Sequence, residues 1–184
     1  AEYSNLMKTS SFWSNFNAKY CLTIQTDGCL CVNSPYKVED FFKYDYVGGY
    51  TNKQWQNKMK SMIDYSVSFP CLNGGFSIRN ISKCVKVINQ FPPLPCDNRN
   101  EVFEAYAEDM YFVGGMLKLG YKVGMDEFAR NFCSHTEYKQ GTFCIHNFYK
   151  YANKELLSKS YEYCNQYRLF IKPLEDISYK KENT

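Results

Sequence analysis

Residues 20–28 of this chain read YCLTIQTDG, and they constrain the fold more than any other stretch. The run from Tyr20 to Ile24 is rich in residues that favour β-strands, and it stops abruptly at Asp27 and Gly28. We therefore expect a buried strand that delivers one carboxylate to its carboxyl end, where open α/β sheets bind their ligands. The Asp-Gly pair is also a common turn signal, and a plain turn is the alternative interpretation.

The size and composition of the chain are those of a globular domain. Its 184 residues are 45% hydrophobic and 22% charged, which suits one domain, residues 1–184, with a single core. The 22 Lys and Arg residues only slightly outnumber the 19 Asp and Glu residues and are scattered along the chain, so nucleic-acid binding is not indicated. No apolar run reaches the roughly 18 residues of a membrane span, and no span is predicted. Nothing in the composition indicates an oligomeric state.

The nine cysteines are an odd number spread through apolar stretches, which does not suit a disulfide framework. We expect most of them to be reduced, buried small side chains. Reduced cysteines favour a cytoplasmic location. There is no Cys-x-x-Cys, and Cys29-Leu30-Cys31 is too tight for a usual zinc knuckle, so a structural zinc site is not predicted.

Hydrophobic spacing predicts alternating helices and short strands along the rest of the chain. Aromatic residues at positions 12, 13 and 16 allow a short helix before the first strand, and Ser34-Pro35 resembles an N-cap followed by proline at the first helical position. Longer helices are predicted over residues 35–44, 81–89, 108–119 and 153–169. Strands are predicted over residues 45–47, followed by a glycine turn, and over residues 76–79, 123–133 and 142–146. Residues 50–70 are interpreted as a loop with some helix, and residues 170–184 as a tail.

Residues 72–80, which read LNGGFSIRN, contain the paired glycines Gly74-Gly75. Glycines at this point would let the backbone approach a ligand closely, although a plain turn is the alternative. Gly114-Gly115, inside a predicted helix, indicates close packing against a neighbouring element, and Gly120 is placed as a C-terminal cap.

Three ionisable residues stand at the ends of predicted elements. Glu108 and Asp109 open a helix, whose dipole favours acids at its start and gives them a purely structural interpretation. His146 ends an apolar run, where a single histidine is more often a hydrogen-bonded core or rim residue than a ligand.

The order of these stretches resembles a family of GT-A-type nucleotide-sugar glycosyltransferases found among viral and microbial sequences. The resemblance covers about residues 12–151. It rests on Gln25-Thr26-Asp27, Ser34-Pro35, Glu39-Asp40-Phe41, Tyr44-Asp45-Tyr46-Val47-Gly48, Asn73-Gly74-Gly75-Phe76-Ser77-Ile78-Arg79, Glu108-Asp109 and His146.

The resemblance implies an α/β fold with a GT-A-like mixed sheet flanked by helices. It also implies a metal-dependent enzyme that moves a sugar from a nucleotide-sugar donor to a hydroxyl of a glycan or protein acceptor. GT-A domains place a nucleotide-binding βαβ half before their acidic motif, and only 26 residues precede Asp27. Most of that half is therefore expected to be missing, with the chain truncated at its N-terminus.

The resemblance also assigns roles to residues. Asp27 and His146 would bind a divalent cation, Mn²⁺ or Mg²⁺, that bridges the donor diphosphate. Asp109 would be the general base if the reaction inverts, and Glu108 would position acceptor or donor hydroxyls. The donor-sugar pocket would be lined by Gln25, Thr26, Asn73, Gly74 and Gly75. Gln25 stands where the family's acidic motif has its first carboxylate.

Two other functions are compatible with the same residues. A non-catalytic relative would bind carbohydrate or protein through its aromatic surface. A metal-dependent hydrolase built on Asp27, Asp109 and His146 would release free sugar without an acceptor, and it ranks last because so few histidines and acids converge.

Overall fold

The computed structural model describes residues 2–51, 70–96 and 102–169, which form a mixed α/β fold. The helices are α1 (Glu2–Met7), α2 (Ser10–Ser14), α3 (Ile81–Gln90), α4 (Glu108–Lys118) and α5 (Lys154–Tyr163). The strands are β1 (Tyr20–Ile24), β2 (Gly28–Leu30), β3 (Tyr46–Tyr50), β4 (Cys71–Asn80), β5 (Cys133–Ser134) and β6 (Cys144–His146). The α/β class expected from the sequence is confirmed.

The strands form two small sheets. In the first, the ten-residue strand β4 lies between β1 and β3 and is antiparallel to both. In the second, β6 lies between β2, to which it is antiparallel, and β5, to which it is parallel. Phe41, Phe76, Phe132 and Cys144 belong to one buried cluster that includes residues of both sheets.

Strand β1 is where predicted, but it is not a buried strand. It pairs on one side only, as an edge of the first sheet, so its residues are half-buried and Ile24 is 51% exposed. After Ile24 the chain turns at once, and the Gly28 N–H donates to the Gln25 carbonyl at 2.9 Å. Asp27 therefore lies in a tight turn between β1 and β2, as in the alternative interpretation, and not at the end of a parallel strand.

The helix predicted from Ser34-Pro35 is wrong. The Ser34 hydroxyl accepts from the nearby Tyr36 N–H at 3.2 Å and so closes a local turn instead of capping a helix. Only a short 3₁₀ helix, Val38–Phe41, follows. Phe41 is fully buried, so burial of one aromatic anchors this segment without a longer helix.

The long strand predicted over residues 123–133 is also wrong. Val123 makes a single bridge with Tyr46, a 3₁₀ helix occupies Ala129–Asn131, and strand geometry returns only at Cys133–Ser134. The glycines at 48 and 49 lie within β3, where the register with β4 shifts, instead of in a turn. The apolar residues of the 123–133 segment pack into the protein, but the segment does not form a continuous strand.

Helices α3 and α4 are confirmed, and they pack closely. A Cβ on Gly115 would overlap Cγ1 of Val87, so this glycine is what lets the two helices approach. Gly120 follows the end of α4 with a φ of +71°, a left-handed conformation that glycine adopts without strain.

The C-terminal part of the described chain is tied to β2. Cys31 and Cys164 form a disulfide with their Cα atoms 4.9 Å apart, which departs from the expectation of reduced cysteines at these two positions. The other seven cysteines are free thiols. Helix α5 ends at Tyr163, and residues 165–169 are again helical, so the predicted closing helix is interrupted at Cys164.

Most of the predicted 50–70 loop and the whole 170–184 tail lie outside the described residues. None of the helices within the described ranges is both long and apolar enough to cross a membrane.

The contact between α3 and α4 can be tested with Gly115→Ala. The added methyl group must displace Val87, and overpacking of this kind costs about 1–3 kcal/mol of the free energy of unfolding. Val87→Ala in the same chain should recover part of that loss, which denaturant unfolding of the single and double variants would measure. The exposed Lys86→Ala serves as a control on the same helix, and a Gly115→Ala variant as stable as the wild type would contradict the packing.

Candidate functional site

The two glycines of β4 divide the predicted site residues into two groups. A Cβ on Gly75 would overlap the His146 ring and lie 2.6 Å from Oε1 of Gln25. A Cβ on Gly74 would lie 2.7 Å from Cβ of Asp109 and 2.7 Å from Oε1 of Glu108. Successive residues of a strand face opposite sides. His146 and Gln25, which we call the imidazole group, therefore adjoin one face of the glycine pair, and Glu108 and Asp109, which we call the acid group, adjoin the other. Any side chain at either position would collide with these groups, so the close approach requires glycine.

Asp27 and His146 are brought together by the pairing of β2 with β6. Gly28 lies opposite His146 in the register, and the Asp27 carbonyl accepts from the Asn147 N–H at 3.1 Å. As a result Oδ1 of Asp27 lies 3.0 Å from Nε2 of His146. The contact with His146 lowers the pKa of Asp27, so this side chain is a carboxylate at neutral pH.

The ring of His146 is buried with its nitrogens unsatisfied. Its side chain is 3% exposed, and among the described residues neither Nδ1 nor Nε2 has a hydrogen bond of good geometry. The Asp27 carboxylate oxygen lies 3.0 Å from Nε2, whereas Nδ1 has no polar partner among the described residues. Buried polar atoms usually have partners, and their absence on a histidine beside a carboxylate is the feature of this site that points to a ligand.

His135 supports His146 and was not anticipated from the sequence. The two rings stack with centroids 5.2 Å apart and 16° between their planes. Nδ1 of His135 lies 3.0 Å from the His146 carbonyl, which can only accept, so Nδ1 carries the proton. Burial lowers the pKa of His135 to about 4, and the ring is neutral at pH 7. One feature of the sequence could have identified His135: the chain has only two histidines, and they are 11 residues apart.

Asp109 lies in the first turn of α4 and faces Gly74. Its Oδ2 accepts from the Gly74 N–H at 3.2 Å, and part of the residue remains accessible to solvent. Burial, and then the neighbouring charge of Glu108, raise the pKa of Asp109 to about 6. A carboxylate with this pKa is a stronger base than an ordinary aspartate and is still mostly ionised at pH 7.

Glu108 has a different environment from the one that its predicted role requires. Its Oε1 pairs with Nη2 of Arg79 at 3.1 Å, and its Oε2 accepts from the Ser4 hydroxyl at 2.9 Å. With the residue 5% exposed, both oxygens are committed to internal partners. This geometry favours a role in holding Gly74 and Asp109 in place over direct contact with substrate hydroxyls.

The residues predicted to line the donor-sugar pocket are not all equally close to the glycine pair. Asn73 accepts from the Gly75 N–H through Oδ1 at 3.1 Å, and the Gln25 N–H donates to the Gly75 carbonyl at 2.8 Å. Thr26 is exposed in the turn before Asp27. Burial raises the pKa of Tyr3, and the charges of Arg79, Glu108 and Asp109 also act on it.

The protein ligands available for a metal are few. In the ranges that the structure describes, no three His, Cys, Asp or Glu side chains converge in a way that could hold an ion. Asp27 and His146 provide two candidate donor groups, a carboxylate oxygen and an imidazole nitrogen that lacks a well-aligned partner.

A family model described as "Protein of unknown function (DUF5672)" matches residues 1–147, which is most of the 184-residue chain. Searches among curated proteins and among solved structures found no match.

The contact between Gly75 and His146 can be tested with Gly75→Ala. The methyl group would have to push the His146 ring out of its buried position, so we expect the melting temperature to fall by several degrees. His146→Ala in the Gly75→Ala chain removes the ring that collides and should recover part of the loss. Thermal unfolding of both variants and of His146→Ala alone measures the coupling, and additive effects would contradict the contact.

Proposed function

This chain belongs to the DUF5672 family, and we propose that it is a GT-A-type, metal-dependent glycosyltransferase that moves a sugar from a nucleotide donor to an acceptor hydroxyl. One observation carries the proposal. A carboxylate–imidazole pair and an aspartate with a raised pKa adjoin consecutive glycines of one strand. Sugar transfer needs these two functions near each other, one at the leaving diphosphate and one at the attacking hydroxyl.

Asp27 and His146 fit a divalent cation that is shared with a substrate. Their facing atoms are 3.0 Å apart, and the Nε2 atom lacks a well-aligned partner. Cations such as Mg²⁺ are commonly held by one or two protein carboxylates and complete their shell with substrate phosphates and water, so a site with two protein ligands is sufficient. An imidazole ligand favours Mn²⁺ over Mg²⁺, because Mg²⁺ strongly prefers oxygen. When bound, such an ion would neutralise charge on the donor diphosphate.

The remaining side chains have roles that their positions support. Asp109 would accept the proton from the acceptor hydroxyl as that oxygen attacks the anomeric carbon and the nucleoside diphosphate leaves. Arg79 and Glu108 would hold the Gly74 backbone, whose N–H fixes Asp109. Because Gly74 and Gly75 have no side chains, the two groups lie directly against the backbone of β4.

The metal requirement can be tested by isothermal titration with nucleoside diphosphate sugars in the presence and absence of Mn²⁺. We expect binding that requires Mn²⁺ and is lost in Asp27→Asn, because the amide removes the negative charge that holds the cation. Glu155→Gln, which changes an exposed carboxylate on α5, should bind like the wild type. Absence of binding under all of these conditions would contradict the enzyme and favour a non-catalytic relative.

The pH dependence of turnover tests the role of Asp109. Below about pH 6 the protonated acid cannot accept a proton, so kcat/KM should fall tenfold per pH unit. Asp109→Asn should reduce kcat by roughly 10²–10⁴-fold and abolish this acidic limb. A limb with its midpoint near pH 4 would mean that an ordinary carboxylate is responsible and would contradict the assignment.

A further inference from the structure

The proline-rich stretch that follows α3, Phe91-Pro92-Pro93-Leu94-Pro95, has no role in the proposed sugar transfer. Residues 92–96 belong to no helix or strand. Each proline ring fixes its own φ at about −65°, and a residue that precedes proline is held in an extended conformation. Because these constraints act along residues 91–95, the sequence favours polyproline II geometry there.

Hydrogen bonds hold this segment in place at both ends. The Tyr111 hydroxyl donates to the Phe91 carbonyl at 2.7 Å. The Leu94 N–H donates to the Glu104 carbonyl at 3.0 Å, and the Leu94 carbonyl accepts from Nζ of Lys8 at 2.8 Å. The segment is therefore ordered before any partner arrives, so little conformational entropy is lost when a partner binds it.

The two outer prolines of the segment are exposed. Polyproline II has three residues per turn, so Pro92 and Pro95 lie on the same side of it. Both are exposed, and Leu94 is 45% exposed although its backbone is bonded to the protein. Pro92 and Pro95 thus have the spacing and the exposure of the Pro-x-x-Pro ligands that dock in aromatic-lined grooves.

A cavity of about 230 Å³ lies between this segment and residues 5–9. Its walls are formed by Asn5, Lys8, Thr9, Pro93, Leu94 and Pro95. Asn5, Thr9, Leu94 and Pro95 are all exposed, so the cavity opens to solvent. A cavity of about 150 Å³ is enough to bind benzene, and this one therefore has room for an aromatic side chain.

The polar groups of the cavity already have partners inside the protein. Lys8 does not make it an anion site, because its three N–H groups donate at 2.8–3.1 Å to the carbonyls of residues 94, 104 and 106. Oδ1 of Asn5 accepts from the Cys96 N–H, and Oγ1 of Thr9 accepts from the Phe12 N–H, both at 3.3 Å. Residues 93–95 provide an apolar wall, so the cavity suits an apolar ring better than a charged ligand.

We propose that residues 92–95 and this cavity form a docking site for a proline-recognising protein domain of the WW type, whose groove is built from aromatic side chains. The groove would take Pro92 and Pro95, and one aromatic side chain of the partner would enter the cavity and pack against residues 93–95. No Lys or Arg lies within three residues of Pro92 or Pro95, so the segment has no basic residue for a groove of the SH3 type that contains acids. This site is independent of the proposed sugar transfer.

Isothermal titration with a purified WW domain that binds Pro-Pro-Leu-Pro peptides tests the site. The wild-type chain should bind it, and Pro92→Ala combined with Pro95→Ala should weaken binding by about tenfold or more, because the rings that fill the groove are removed. Leu94→Glu changes a side chain that is 45% exposed, so the fold should persist while binding weakens. Pro35→Ala, at an exposed proline outside the segment, is the matched control and should bind like the wild type. No binding by the wild type, or equal binding by the double variant, would overturn the site.

A synthetic peptide of residues 90–96 separates the contribution of the cavity from that of the linear motif. Because the folded chain holds the segment in place and adds the cavity, it should bind the WW domain about tenfold more tightly than the peptide does. A chain that binds no more tightly than the peptide would overturn the combined site. An SH3 domain titrated in the same way should bind the chain more weakly than the WW domain, and the opposite order would overturn the assignment of the partner.

Discussion

The structure around the candidate site depends on one fully buried positive charge. The guanidinium of Arg79 has no exposed surface and is compensated by Glu108 at 3.1 Å, by the Ser77 hydroxyl at 3.0 Å and by the rings of Tyr46 and Phe112 at 5.3 and 5.5 Å. Removing one partner of a buried ion pair costs about 3–5 kcal/mol, because the other charge is left without compensation. The pair therefore fixes the relative positions of β4 and α4, and through Ser4 it also fixes α1. Gly74 and Asp109 are placed by the same contacts, so the geometry of the acid group follows from the need to neutralise Arg79.

The turn that carries Asp27 joins the two sheets. Strand β1 belongs to the first sheet and β2 to the second, and only the residues from Gln25 to Asp27 separate them. Because Gly28 pairs with His146, a shift of one residue in this register would move the imidazole to the opposite face of β6. The carboxylate–imidazole contact is thus controlled by the pairing of a three-residue strand, and the neutral ring of His135, which directly follows β5 and stacks on His146, supports it.

Local sequence patterns predicted those helices and strands whose tertiary contacts favour the same structure as the local pattern. Helix α3 could be predicted because its apolar residues recur on the face that it buries. The alternation at residues 76–79 predicted part of β4, although Ser77 and Arg79 are as buried as Phe76 and Ile78, so this strand has no polar face. The edge position of β1, the missing helix after Ser34 and the broken segment at 123–133 could not, because they depend on which strands pair and on single aromatic anchors such as Phe41. For the site, Asp27, Asp109, His146 and the glycine pair could be selected by type and position. The pairing of Glu108 with Arg79 and Ser4 could not be predicted. It requires knowing that Arg79 points into the protein from a strand and that Ser4, near the start of the chain, packs against α4.

The bond between Cys31 and Cys164 closes a covalent loop over a sequence separation of 133 residues, and this has a topological consequence. Strands β3 to β6 and helices α3 to α5 lie inside the loop, whereas α1, α2, β1 and Asp27 lie on the free arm before it. The crosslink restricts the unfolded chain within the loop but does not restrict the arm. While the bond is intact, Asp109 and His146 belong to a covalent macrocycle. Asp27 can be separated from them by displacement of the first thirty residues alone, without opening the ring.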